Sequence, residues 1–110
     1  MSPGRPFAET LASPSMETPF GLRLPEVLVM TPARFEDAPL ALQAVQELKT
    51  VVLHLGLMDP VEAQRVIDFV SGGVFAIDGQ SERLGETVFL FAPALVSIEH
   101  ATAWGQAERP

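Results

Sequence analysis

Residues 50–79 read TVVLHLGLMDPVEAQRVIDFVSGGVFAIDG, and the fold turns on how this stretch is read. Thr50–Leu55 is short and β-branched at Val51 and Val52, as suits a strand. Asp59-Pro60-Val61-Glu62 then opens a helix. Asp59 is placed as N-cap, Pro60 stands in the first helical position, where its missing N–H costs nothing, and an acid follows three residues after the cap. The helix lays Ala63, Val66, Ile67 and Val70 along one face, and Gly72-Gly73 reads as its stop. Val74–Ile77 (VFAI) reads as the next strand, and Asp78-Gly79 as a tight hairpin turn.

Upstream, Glu26–Thr31 (EVLVMT) is a strand ended by Pro32. Residues 35–49 place Leu40, Ala41, Ala44, Val45 and Leu48 on one helical face, with Pro39 tolerable in the first turn. Downstream come a short strand around Arg83-Leu84, a strand over 86–91 (ETVFLF), a break at Pro93 and a strand over 95–98 (LVSI). The expected fold is α/β: two helices packed on one face of a four- to five-stranded mixed sheet. The order is β-α-β-α-β-β-β, with the short strand as an addition.

The 110 residues fit one domain, and 47% apolar content suffices for a core. The absence of cysteine excludes a disulfide framework, a thiolate zinc site and a cysteine nucleophile, and suits a reducing compartment. A net charge of −7, with scattered bases, argues against nucleic acid. No stretch approaches the roughly 18 apolar residues of a membrane-spanning helix. Pro3, Pro6, Pro14, Pro19 and Pro25 mark residues 1–24 as a disordered proline-rich arm. Residues 25–99 form the α/β domain and 100–110 a flexible tail.

Successive strand residues point to opposite faces of a sheet. Val27–Met30, Val51–Leu55 apart from His54, Val74–Ile77 and Val88–Phe91 are apolar on both. Two helices cover one face only. Each wet Val, Leu or Phe forgoes roughly 1.5–3 kcal/mol that burial would contribute. A second copy covering the open face, in a twofold homodimer, is therefore expected. The alternative is an end strand folded back over that face.

Few parts for catalysis are present. His54 lies in a strand and His100 in the tail without a ligand-spaced neighbour; HxxxH, GxSxG, GxGxxG and P-loop patterns are absent. No enzyme activity, metal or cofactor is expected. Glu62, Arg65 and Asp68 read as a solvated ion-paired ridge. Arg83, a lone base amid Asp78, Glu82 and Glu86, reads either as a surface ion pair or as a charged anchor beside an apolar groove. Such a groove would take a short peptide with one acid and a few large apolar side chains. A small regulatory ligand-binding α/β domain is the rival reading.

From Val27 to Ile98 the chain resembles the SepF family of bacterial cell-division proteins. The likeness rests on Val27–Pro32, Val51-Val52-Leu53, Met58-Asp59, Glu62–Gly72, Ala76-Ile77 and Glu82–Leu90. ERLGETVFLFAP (82–93) is most similar to cyanobacterial forms. The resemblance implies a cytoplasmic, non-enzymatic adaptor that dimerises, assembles further, and binds the C-terminal tail of the tubulin-like protein FtsZ, aligning filaments at the division site. It implies tail contacts at Ala63, Arg83 and Phe89, and a close-packed self-association surface at Gly72 and Gly73. Arg83→Glu and Phe89→Ser are expected to weaken tail binding with the fold intact. His54 stands where the family is expected to carry a small polar residue. The family typically begins with a membrane-inserting amphipathic helix. Residues 1–21 offer neither basic face nor apolar stripe, so membrane contact through them is not expected. The chain would act without an anchor, start further upstream, or be held by another protein.

Overall fold

A computed structural model of the protein describes residues 24–101; the arm before Leu24 and residues 102–110 of the tail lie outside the described residues. The elements are β1 (Val27–Met30), a 3-10 turn (Phe35–Asp37), α1 (Ala38–Gln46), β2 (Thr50–His54), α2 (Pro60–Ala76), β3 (Gln80–Arg83) and β4 (Val88–Ala92). The sheet order is β1-β2-β4-β3, with β1 parallel to β2 and the other two pairs antiparallel. Both helices pack on one face of this four-stranded mixed sheet, as expected.

Register divides the two faces. Leu28, Met30, Val51, Leu53, Phe89 and Phe91 face the helices. There they meet Ala41, Ala44 and Val45 of α1 and Val66, Val70 and Val74 of α2 in one buried core. The opposite face carries a straight cross-strand row, Val29–Val52–Leu90–Glu82, flanked by Val27, His54 and Val88. Val27 and Val29 are each 66% exposed. Partial cover comes from the stretch after β4. It turns with a Val96 N–H to Pro93 O bond, and the Gln80 amide donates to the carbonyls of Pro93 and Val96. No end strand folds back over the face: only the turn after β4 reaches it, at Gln80, and among the described residues the valine end stays bare.

Several boundaries differ from expectation. Gly72-Gly73 does not stop α2, and Val74–Ile77 is not a strand: the helix continues to Ala76. Val74 prolongs the buried Val66–Val70 stripe, and that burial overrides its strand propensity. Gly73 faces α1, where a Cβ would lie 2.5 Å from Leu42 Cδ2. Asp78-Gly79 is a helix terminus rather than a hairpin turn. Asp78 is left-handed (φ 62), its N–H bonds Phe75 O at 3.0 Å, and Gly79 N–H bonds Val74 O at 2.8 Å. Those two bonds make a Schellman cap. Leu48 (φ 70) ends α1 in the same way. The hairpin falls later, between β3 and β4. Residues 95–98 form no strand, being drawn into the turn over Gln80. Glu62, Arg65 and Asp68 form no ion pair among themselves: Arg65 lies 4.5 Å from the centre of the Phe35 ring, and Asp68 accepts from Gln64.

The Asp59 cap is as expected, its Oδ2 accepting from Val61 N–H at 3.0 Å and Glu62 N–H at 3.4 Å. The other cap is suboptimal. A left-handed backbone costs a non-glycine residue about 1–2 kcal/mol, and a carboxylate beside a helix C-terminus opposes the helix dipole. Asp78→Gly is therefore expected to stabilise the domain by about 1 kcal/mol after the entropy of an added glycine. A thermal melt should move up by about 4–8 °C; an unchanged midpoint would mean that the aspartate side chain contributes as much as its backbone costs.

Candidate functional site

The N-terminal half of α2, the turn that leads into it, and the β3–β4 hairpin enclose a groove of about 450 Å³. The cap at Asp59 fixes where α2 starts, and helical spacing then sets Ala63 and Ile67 one turn apart on the groove wall. Leu55 and Met58 supply the floor from the β2–α2 turn, and Phe89 supplies it from β4. All three are buried, with Phe89 only 9% exposed.

Arg83 closes β3 on the helix side of the sheet, opposite Phe89. Its guanidinium stands 5.3 Å from the Phe89 ring centre, within cation–π range. Its Nε donates to Gly85 O at 2.9 Å and Nη2 to Glu86 O at 3.0 Å. The residue thus holds the hairpin turn in shape while leaving a cationic edge at the groove rim, and no ion pair engages it among the described residues. Glu86 lines the same end of the groove. An apolar floor with one base and one acid at its mouth suits an extended peptide of mixed character.

Ala63, Arg83 and Phe89, separated widely in sequence, therefore line one groove. Sequence reasoning missed Ile67, Gln64 and Thr87 as groove residues. The i+4 spacing from Ala63 to Ile67 was the available signal for the first; nothing local marks the other two.

Gly72 and Gly73 lie apart from the groove. Around the helix axis, at 3.6 residues per turn, Gly72 is diametrically opposed to Ala63. Among the described residues nothing stands within 4 Å of the position its Cβ would take. It sits in an outward stripe with Val61 (73% exposed), Phe69 (39%) and Phe75 (81%). Gly73 instead faces Leu42 within the same chain.

No group of three or more His, Asp or Glu side chains among the described residues could hold a metal ion. No helix among them is long and apolar enough to cross a membrane.

Comparison with known proteins gives a consistent result. The family model described as "Cell division protein SepF" matches residues 27–98. A cell division protein SepF from Synechococcus elongatus is 56% identical over 73 residues, covering 66% of this chain and 38% of the relative. Its counterpart in Prochlorococcus marinus strain MIT 9211 is 54% identical over 76 residues, covering 69% and 40%. That of Synechococcus sp. strain RCC307 is 51% identical over 78 residues, covering 71% and 43%. The chain thus spans about two fifths of the length of these curated relatives. Among solved structures, a SepF-like protein from Archaeoglobus fulgidus superposes with a TM-score of 0.64 at 15% identity, covering 71% of this chain and 96% of that one. A SepF-like protein from Pyrococcus furiosus gives 0.63 at 10% identity, covering 69% and 95%. At those identities the two structures speak for the fold alone.

Proposed function

The chain belongs to the SepF family of cell-division proteins, and on that premise we propose that it is a non-enzymatic adaptor that binds the C-terminal tail of FtsZ and bundles FtsZ filaments at the division septum. The observation that carries this reading is the convergence of Ala63, Arg83 and Phe89 on one peptide-sized groove. The tail lays its apolar side chains over Met58, Ile67 and Phe89 and sets an acid against the Arg83 guanidinium. Homodimerisation accompanies it: the bare valine end of the sheet is covered by a second copy, and the Gly72 stripe makes a further contact between copies. Several weak tail contacts on one assembly then act together as avidity.

The test is titration of an FtsZ tail peptide onto the purified chain. Ala63→Glu puts a carboxylate into the groove from the helix wall, and the exposed Thr87→Glu does so from the hairpin wall. Each is expected to weaken binding about tenfold or more, with the melting curve unchanged for the exposed Thr87→Glu and lowered for Ala63→Glu, whose position packs against the core. Two variants that both bind like the parent would move the site elsewhere. The same variants mixed with FtsZ and GTP should give fewer bundles by electron microscopy.

A further inference from the structure

The end of the domain away from the groove is apolar and open. There β1 and β2 begin, α1 and α2 end, and β4 runs out into the turn at Pro93. Two hollows lie side by side at this base, and Leu48 and Leu95 line both. One, of about 230 Å³, is walled further by Leu24, Pro25 and Val96. The other, of about 340 Å³, reaches Ile77, Pro93 and Ala94. Leu24, Leu48 and Leu95 are 42%, 48% and 69% exposed, so the two hollows belong to one apolar patch.

The first hollow also carries charge. Lys49 lines it and is the only buried charged residue among the described residues. Its ammonium lies 3.5 Å from a Glu47 carboxylate oxygen and 3.7 Å from one of Glu26, and both glutamates line the same hollow. An apolar wall that holds a cation suits the face of an aromatic ring, and tryptophan makes the strongest such contact. Carboxylate acceptors beside it suit a ring that also brings a donor, as an indole does and a phenyl ring does not. The chain has one tryptophan, Trp104, which lies outside the described residues. It follows Val96, a wall of the hollow, by eight residues, with no proline between them. Eight residues reach up to about 26–29 Å, enough to return the ring to a hollow that its own chain borders. So short a tether holds the ring at about millimolar local concentration. We propose that the base of the domain is a docking site for the chain's own C-terminal segment, with the Trp104 indole seated between Leu48 and Leu95 against the Lys49 ammonium. The inference stands apart from the groove: α2 carries Ala63 at the groove and ends before Ile77 at the base.

A single tryptophan makes the test direct. On the full chain, Trp104 emission should be blue-shifted, and quenched severalfold more weakly by acrylamide than free N-acetyltryptophanamide, at every protein concentration. Leu48→Gln and Leu95→Gln alter exposed side chains, so circular dichroism should be unchanged. Each should move the emission to the red and raise quenching toward that of the free indole. Leu84→Gln, in the hairpin turn at the other end of the sheet, should do neither. Nuclear Overhauser contacts from the indole N–H to the Leu48 and Leu95 methyls read the same docking without a substitution. A parent whose tryptophan is quenched like the free indole overturns the proposal and leaves the base to another occupant, such as Phe20 and Leu22 ahead of Leu24. Protection that survives both base variants overturns it as well, by placing the ring elsewhere. Protection that appears only as concentration rises assigns the hollow to the tail of a second copy and overturns docking within one chain.

Discussion

Phe89→Ser is expected to destabilise the domain by about 3–5 kcal/mol and to leave little folded protein at room temperature. Phe89 is groove floor and core at once. It is 9% exposed, faces the helices beside Leu53, and lies beneath the Arg83 guanidinium. Truncating it removes a buried ring and leaves a hydroxyl among apolar neighbours. A domain this small has a core worth roughly 3–5 kcal/mol, so the loss is comparable to the whole. The sequence-based expectation of weakened tail binding with the fold intact is revised accordingly, and for Arg83→Glu too, since its guanidinium braces the hairpin carbonyls. Circular dichroism on heating decides the matter. A cooperative melt within a few degrees of the parent would place Phe89 outside the core. Phe89→Leu keeps most of the volume, is expected to cost under about 1.5 kcal/mol, and isolates the ring's part in peptide binding.

Combining Val29→Glu with Gly72→Lys is expected to reduce the protein to monomers, whereas either change alone leaves a smaller assembly than the parent's. The two positions lie on opposite sides of the domain. Val29 is 66% exposed at the edge end of the Val29–Val52–Leu90 row, so a carboxylate there stays solvated in a monomer and is desolvated if another sheet covers it. Gly72, on the outward side of α2, has open space over it among the described residues. A lysine there extends into solvent in one copy and into a neighbour's backbone in a close contact. Neither change touches the core, so melting midpoints at low concentration should stay near the parent's. Sedimentation velocity across a concentration series reads the result. A double variant with the parent's mass would assign assembly to some other surface.

The parts of the fold that were legible in the sequence are those where local chemistry and tertiary packing agree. Asp59-Pro60 could be placed at the head of α2 because capping is a local event, and the Thr50–Leu55 strand because its pattern is short and branched. The end of α2 was misread because two glycines and VFAI carry the local marks of a break and a strand. Their real surroundings are distant: Gly73 packs against the Leu42 side chain on another helix, and the core demands Val74. Asp78-Gly79 was misread for a related reason. A left-handed residue before a glycine serves a helix terminus as well as a hairpin, and only the Val74 and Phe75 carbonyls show which. The groove was legible in its three named residues through family likeness. That Arg83 braces a turn shows only in the fold, where its guanidinium meets the Gly85 and Glu86 carbonyls.

Helix α2 carries Ala63 near its start and Gly72 near its end, nine residues apart. At 1.5 Å rise per residue that is about 13.5 Å of continuous rod. No hinge or loop interrupts it. On the proposed reading, with a tail seated at one end and a second copy against the other, tension on the tail would pass between them as strain along a stiff strut, with little slack for sliding filaments to take up.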